Sequence, residues 1–222
     1  MLLMKAWMET RWRLLGVAMY LLIALAMNFL NPAGTNVLAT LWLMLTLLAI
    51  SLGGSGVRSQ APLGFSEGLA GSTQFTLSLP VSRIRLLVVR AAAGLVETAA
   101  AAVVVAWLAW GLIPNLRQTA APVDFARLVL TTILFLSAPY CAHVFFTTWA
   151  EEPYSIAYAT FTLIVLLVAG HRLAPALDII RAFGQASPLL THRLPWPQLA
   201  VSVTLALILT FAAVQVVRRR EY

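Results

Sequence analysis

Apolar residues fall in six runs separated by short polar or proline-bearing connectors: 14–30, 37–57, 91–113, 125–149, 154–170 and 198–217. None of these runs shows the alternating polarity over short segments that a barrel strand needs. Each is long enough to cross a bilayer as a helix, for which about 20 apolar residues suffice. The shortest two, of seventeen residues, reach about 25 Å at ~1.5 Å per residue and call for snorkelling flanks or a locally thinned bilayer. The pattern therefore predicts an all-α integral membrane protein, a single transmembrane domain over residues 1–222 with six transmembrane helices.

The connectors carry patterns of their own. Over residues 2–15, Lys5, Glu9 and Arg13 share one helical stripe at four-residue spacing, with Leu3, Trp7 and Leu14 opposite. This predicts an interfacial helix with Trp7 at headgroup level and Glu9 placed to pair with Arg13. The plainer alternative is an ordinary charged flank. A secretory signal ending at Ala24-Leu25-Ala26 competes for the same stretch, which is read here as a retained first anchor.

The longest polar connector, 58–90, follows Gly53, Gly54 and Gly56 and passes through Pro62 and Gly64. Ser66 can cap a short helix that stops before Pro80, because the residue preceding a proline is pushed out of the α region. A weakly charged helix of this kind suits docking, and an incidental surface loop is the alternative.

The last connector, 171–197, is better structured than a loop requires. Pro175 suits a first helical turn, Leu177, Ile180 and Phe183 form an apolar stripe, and Gly184 suits a stop. Ser187 and Pro188 start a second short helix, with Pro195 and Pro197 read as its end. Two such helices between spans five and six predict a re-entrant pair buried against protein, with Pro175, Asp178, Arg181 and Pro188 as its candidate functional positions. An external amphipathic lid is the alternative.

Composition sharpens this picture. Hydrophobic residues make up 61% of the chain and charged residues 10%, against roughly 45–50% and about 25% in soluble domains, which excludes a two-domain soluble enzyme. The single cysteine, Cys141, excludes an internal disulfide framework. The net charge of +7 points to membrane orientation and not to nucleic acid. With six crossings, Lys5, Arg11, Arg13, Arg58, Arg83, Arg85, Arg90, Arg218, Arg219 and Arg220 lie on one side, and Arg117, Arg127, Arg172, Arg181 and Arg193 on the other. The basic excess predicts a cytoplasmic (inner) membrane protein with both termini in the cytoplasm.

Chemistry is sparse. Lys5 is the only lysine and lacks the glycines of a phosphate-binding loop, so the chain has no Walker motif of its own. His143, His171 and His192 have no ligand spacing, so no metal site is expected, and no nucleophile elbow is present. Glu97 is the only acid inside a span, and His143 lies within the fourth span. Either could contact a polar substrate or serve only as an interhelical hydrogen-bond partner. Gly94, Thr98 and Ala102 form a small-residue stripe beside Glu97, and Pro139 is placed to kink its span.

Three segments carry a resemblance. Glu67, then Gly71-Ser72-Thr73, then Leu77-Ser78-Leu79-Pro80-Val81-Ser82-Arg83 looks like an E-x-x-x-G-T-x-x-x-L-L-x-x-P-x-S-R pattern with one extra serine. Ala174-Pro175 through Ala186-Ser187-Pro188 and the terminal Arg218-Arg219-Arg220-Glu221 are the others. With the six-span layout, they resemble the permease subunits of the ABC type-2 exporter family over nearly the whole chain.

The resemblance implies a transport subunit that is not itself an enzyme. It would form the pathway with a second permease copy or homologue and borrow energy from separate ATPase subunits, where ATP and magnesium would bind. It maps the ATPase-docking coupling segment onto Glu67, Ser72, Thr73, Gln74 and Phe75, and the interfacial helix onto residues 2–15. The coupling segment lacks the basic residues often found there in the family, and the short external connectors point toward a small or amphipathic cargo. The rival reading is an ion- or proton-coupled secondary transporter or channel using Glu97. An intramembrane enzyme, a third, lacks a nucleophile and a metal.

Overall fold

A computed structural model of the chain describes residues 45–47, 49–50, 82–112, 121–148, 150, 154–174, 178, 183 and 187–220. All regular structure among these residues is helical. The elements are α1 (Arg83–Leu112), α2 (Pro122–Thr147), α3 (Tyr154–Leu173), α4 (Pro188–Thr191) and α5 (Trp196–Arg220), and residues 45–47 and 49–50 are helical as well. The interfacial helix over 2–15, the first span, most of the second and the coupling segment lie outside the described residues. So do Pro175 and Arg181.

Among the described residues four helices, α1, α2, α3 and α5, are long and apolar enough to cross a membrane. They coincide with the runs expected at 91–113, 125–149, 154–170 and 198–217, with one notable difference at an end. The connector expected to last until residue 90 gives way to helix at Arg83. Charge at Arg83, Arg85 and Arg90 interrupts the apolar run but does not end the helix, and α1 at 30 residues is about 45 Å long. That exceeds the ~30 Å hydrocarbon layer. Ser82 sets its start by accepting a hydrogen bond from the Arg85 backbone N–H at 3.3 Å.

The polar logic of a soluble protein is inverted. Val96, Trp107, Phe161, Leu207 and Phe211 point outward, each about two-thirds or more exposed, while Thr98, Thr131, His143, Ser155 and Ser202 are sealed inside. Outward apolar faces on several helices at once fit a lipid solvent and would be an aggregation hazard in water. Two buried threonine hydroxyls are absorbed by backbone carbonyls one turn back: Thr98 donates to Gly94 and Thr132 to Leu128, both at 2.8 Å.

At the centre stands α2, 61% of whose apolar window is buried against 22%, 11% and 17% for α1, α3 and α5. One apolar cluster joins Leu45 and Ala49 with Leu87, Ala102 and Val105 of α1, Leu136, Tyr140 and Val144 of α2, and Ala213 of α5. A second, toward the other end, joins Leu128 and Phe135 of α2 with Phe183 and Leu199, and the Phe135 and Phe183 rings lie 5.5 Å apart.

Pro139 sits inside α2, which continues through it. Its missing N–H leaves the Phe135 carbonyl without a helical donor. The Ser202 hydroxyl of α5 reaches that carbonyl at 3.4 Å and its neighbour at Leu134 at 3.2 Å. A side chain of the adjacent helix thus takes over a backbone bond that hydrocarbon could not supply.

The connector before α5 differs from expectation. The helix begun by Ser187 and Pro188 is a single turn, Pro188–Thr191, and His192 ends it in the left-handed conformation (φ 54°). Pro195 and Pro197 belong instead to the start of α5, where prolines are tolerated because first-turn N–H groups have no helical acceptor.

Candidate functional site

Sequence reasoning singled out Glu97, His143, Asp178 and Pro188 among residues that the structure describes. Glu97 is half-buried on α1, with its Oε2 shielded from solvent. One turn earlier, Gly94 meets Tyr140 of α2. The Tyr140 hydroxyl donates to the Ala91 carbonyl at 2.8 Å, and a side chain at Gly94 would collide with that ring. The stripe of Gly94, Thr98 and Ala102 is buried, so the face that carries it is the one α1 packs inward.

His143 is fully buried and ties three elements together. Its Nδ1 meets the Ile50 carbonyl, and its Nε2 lies 3.3 Å from the hydroxyl of Ser155 in the first turn of α3. A carbonyl can only accept, so Nδ1 carries the proton; in the neutral ring Nε2 then accepts from Ser155. A serine facing an oriented imidazole is the arrangement of a nucleophile and its base. Here both side chains are 0% exposed, which leaves a substrate no approach. The pair acts as an interhelical staple.

Among the described residues the densest polar constellation lies at the end of the bundle where α2 begins, and it was not foreseen as a site. Asp124, in the first turn of α2 after Pro122, is only 4% exposed. Its Oδ1 accepts from Arg127 Nη1 at 2.7 Å and its Oδ2 from His192 Nδ1 at 2.5 Å. Arg127 Nη1 also donates to the His192 carbonyl at 2.7 Å. One buried carboxylate, at a helix N-terminus that favours negative charge, thus clamps the left-handed residue between α4 and α5. Nearby in the chain's topology, His171 at the end of α3 donates from Nδ1 to Asp178 Oδ2 at 2.8 Å; Asp178 is buried, its partner two-thirds exposed.

No family model matches the chain, nor does any curated protein or solved structure. Roles at this end therefore follow from geometry. Among the described residues no three histidine, cysteine, aspartate or glutamate side chains converge as metal ligands. Asp124 and Asp178 each spend their charge on fixing the connector between α3 and α5 to the bundle, and Pro188, fully buried, wedges the α4 turn in place. The Asp124-x-x-Arg127 spacing was readable as a helical pair. The closure onto His192, 68 residues away, was not. Trp7, Glu9, Arg13, Glu67, Ser72, Thr73, Gln74 and Phe75 lie outside the described residues.

Proposed function

We propose that this chain is the membrane-spanning permease subunit of an ATP-driven ABC exporter, paired with a second permease and with separate ATPase subunits. The observation that carries the reading is the position of the motif relative to α1. The segment from Glu67 ends in Pro80-Val81-Ser82-Arg83, and Ser82-Arg83 is the capped start of α1. A partner gripping that segment would pull on a rigid helix. The Tyr140 bond to Ala91 and the fit of its ring against Gly94 would pass the movement to central α2.

In this reading six crossings place both chain ends in the cytoplasm of an inner-membrane protein, and four of the crossings are α1, α2, α3 and α5. The re-entrant connector is the segment held by Asp124, Asp178 and Pro188 on the external side. ATP-driven closure of the partner subunits shifts the pathway between inward and outward states. The energy is the difference in ATP affinity between those states, about 5.5 kcal/mol for a 1:99 to 99:1 shift.

The test is co-purification. The full chain brings down a soluble Walker-motif ATPase whose hydrolysis rises in the complex, and Glu67→Lys weakens that association while leaving the membrane helices intact. A lone chain that transports without nucleotide refutes the proposal. The shielded Glu97 carboxylate motivates the rival, a proton-coupled transporter; transport surviving Glu97→Gln in proteoliposomes excludes it.

A further inference from the structure

Arginine is concentrated at one end of one helix pair. α1 begins with Arg83 and Arg85, and α5 ends with Arg218, Arg219 and Arg220. As the first and the last of four successive helices long enough to cross a membrane, they have these termini on one side; they contact each other, and Leu87 of α1 and Ala213, Val214 and Val217 of α5 belong to one apolar cluster. Arg85, Arg218 and Arg219 are exposed; Glu151, Glu152 and Glu221 lie outside the described residues. At the opposite end Asp124 is matched to Arg127 and His192, and Asp178 to His171.

What lies beneath the arginines decides the partner. Three residues on from Arg85, on the same helix face, Val88 is 51% exposed. Two turns before Arg218, also on one face, Phe211 is 65% exposed, with Leu207 and Ile208 beside it. Each guanidinium thus caps an outward apolar stripe about 5–10 Å long by the ~1.5 Å rise. An acidic soluble protein would meet the charges and leave the stripes bare, whereas a phospholipid has a phosphate and an acyl chain at that separation. Arginine also suits phosphate better than lysine, because its planar fork donates two parallel hydrogen bonds.

We propose that the α1–α5 arginine end is a binding surface for anionic phospholipid headgroups, the phosphates held by Arg85, Arg218 and Arg219 and the acyl chains lying along Val88 and Phe211. The proposal does not depend on the exporter reading. A headgroup so held would fix the depth of the helix pair in the bilayer and make its packing sensitive to lipid charge.

Native mass spectrometry of the full chain extracted from vesicles of equal phosphatidylcholine and phosphatidylglycerol reads this directly. The wild-type chain retains phosphatidylglycerol in preference. The combined Arg85→Gln, Arg218→Gln and Arg219→Gln variant lowers that preference by at least about fivefold, the worth of one arginine near a charged surface. Arg172→Gln with Arg193→Gln, two exposed arginines of the other end, leaves it unchanged. Equal retention of both lipids by the wild type overturns the proposal. So does equal loss in both variants, since net charge alone would then govern. A preference that survives the triple change while an acidic co-purifying protein is lost overturns it in favour of a protein partner. Should the triple variant lose its helical circular dichroism, raising salt on the wild type from about 0.05 M to about 0.5 M takes its place: the preference falls as the charges are screened, and an unmoved preference overturns the proposal.

Discussion

Replacing Gly94 with alanine puts a methyl group into the Tyr140 ring, with Cζ at 3.2 Å and Cε2 at 3.3 Å and the hydroxyl closer still. That oxygen is no free end of a flexible chain, because its bond to the Ala91 carbonyl fixes it. Two effects oppose each other. Overpacking a tight contact costs about 1–3 kcal/mol, while alanine is better than glycine in a helix interior by roughly 0.8–1 kcal/mol. Gly94→Ala alone should therefore destabilise by about 0–2 kcal/mol.

Tyr140→Phe removes the clashing oxygen together with one interhelical bond, which costs about 0.6 kcal/mol and at most ~1.7 in a membrane bundle. The Ala91 carbonyl keeps its helical donor, so nothing is orphaned. In the double variant the propensity gain survives and most of the clash is gone, although the ring carbons still need to shift by a few tenths of an ångström. The two changes should thus couple by at least about 1 kcal/mol in the rescuing direction. Reversible unfolding in mixed micelles, followed by circular dichroism over all four sequences, measures the coupling. Additivity within about 0.5 kcal/mol would show that α1 and α2 do not meet at Gly94 and Tyr140.

Three further outcomes are expected. Ser202→Ala should cost about 0.6 to 1.7 kcal/mol in the wild type but close to nothing beside Pro139→Ala, which restores the N–H for the Phe135 carbonyl; the same unfolding assay checks it. His143→Leu should be more damaging than Ser155→Ala, because it removes both bonds of the staple at once, and a lower melting temperature for Ser155→Ala would contradict the staple. Asp124→Asn should loosen the turn between α4 and α5, seen as faster hydrogen exchange at Leu190 and Thr191 with α2 itself unaffected; unchanged exchange would mean that the carboxylate does not hold His192.

Much of the fold was legible along the chain. Where a run of apolar residues exceeds bilayer thickness, the backbone must satisfy itself as helix, so α1, α2, α3 and α5 follow from local composition. Local chemistry also placed the Ser187-Pro188 helix start. The errors were equally local. The charged stretch before residue 91 reads as connector along the chain but is helix from Arg83, and Pro195 and Pro197 read as a stop but open the next helix.

The contacts that define the candidate site lay beyond such reading. His143 finds Ile50 across 93 residues, His192 finds Asp124 across 68 and Tyr140 finds Ala91 across 49. Hydropathy reports the free energy of moving a side chain from water to an apolar medium, and lipid and helix interface are nearly equal in that respect. The sequence therefore determined which segments become helices in a membrane. Which face of each helix meets protein was decided only in the assembled bundle, where close fit at Gly94 and the few polar groups needing partners break that equivalence.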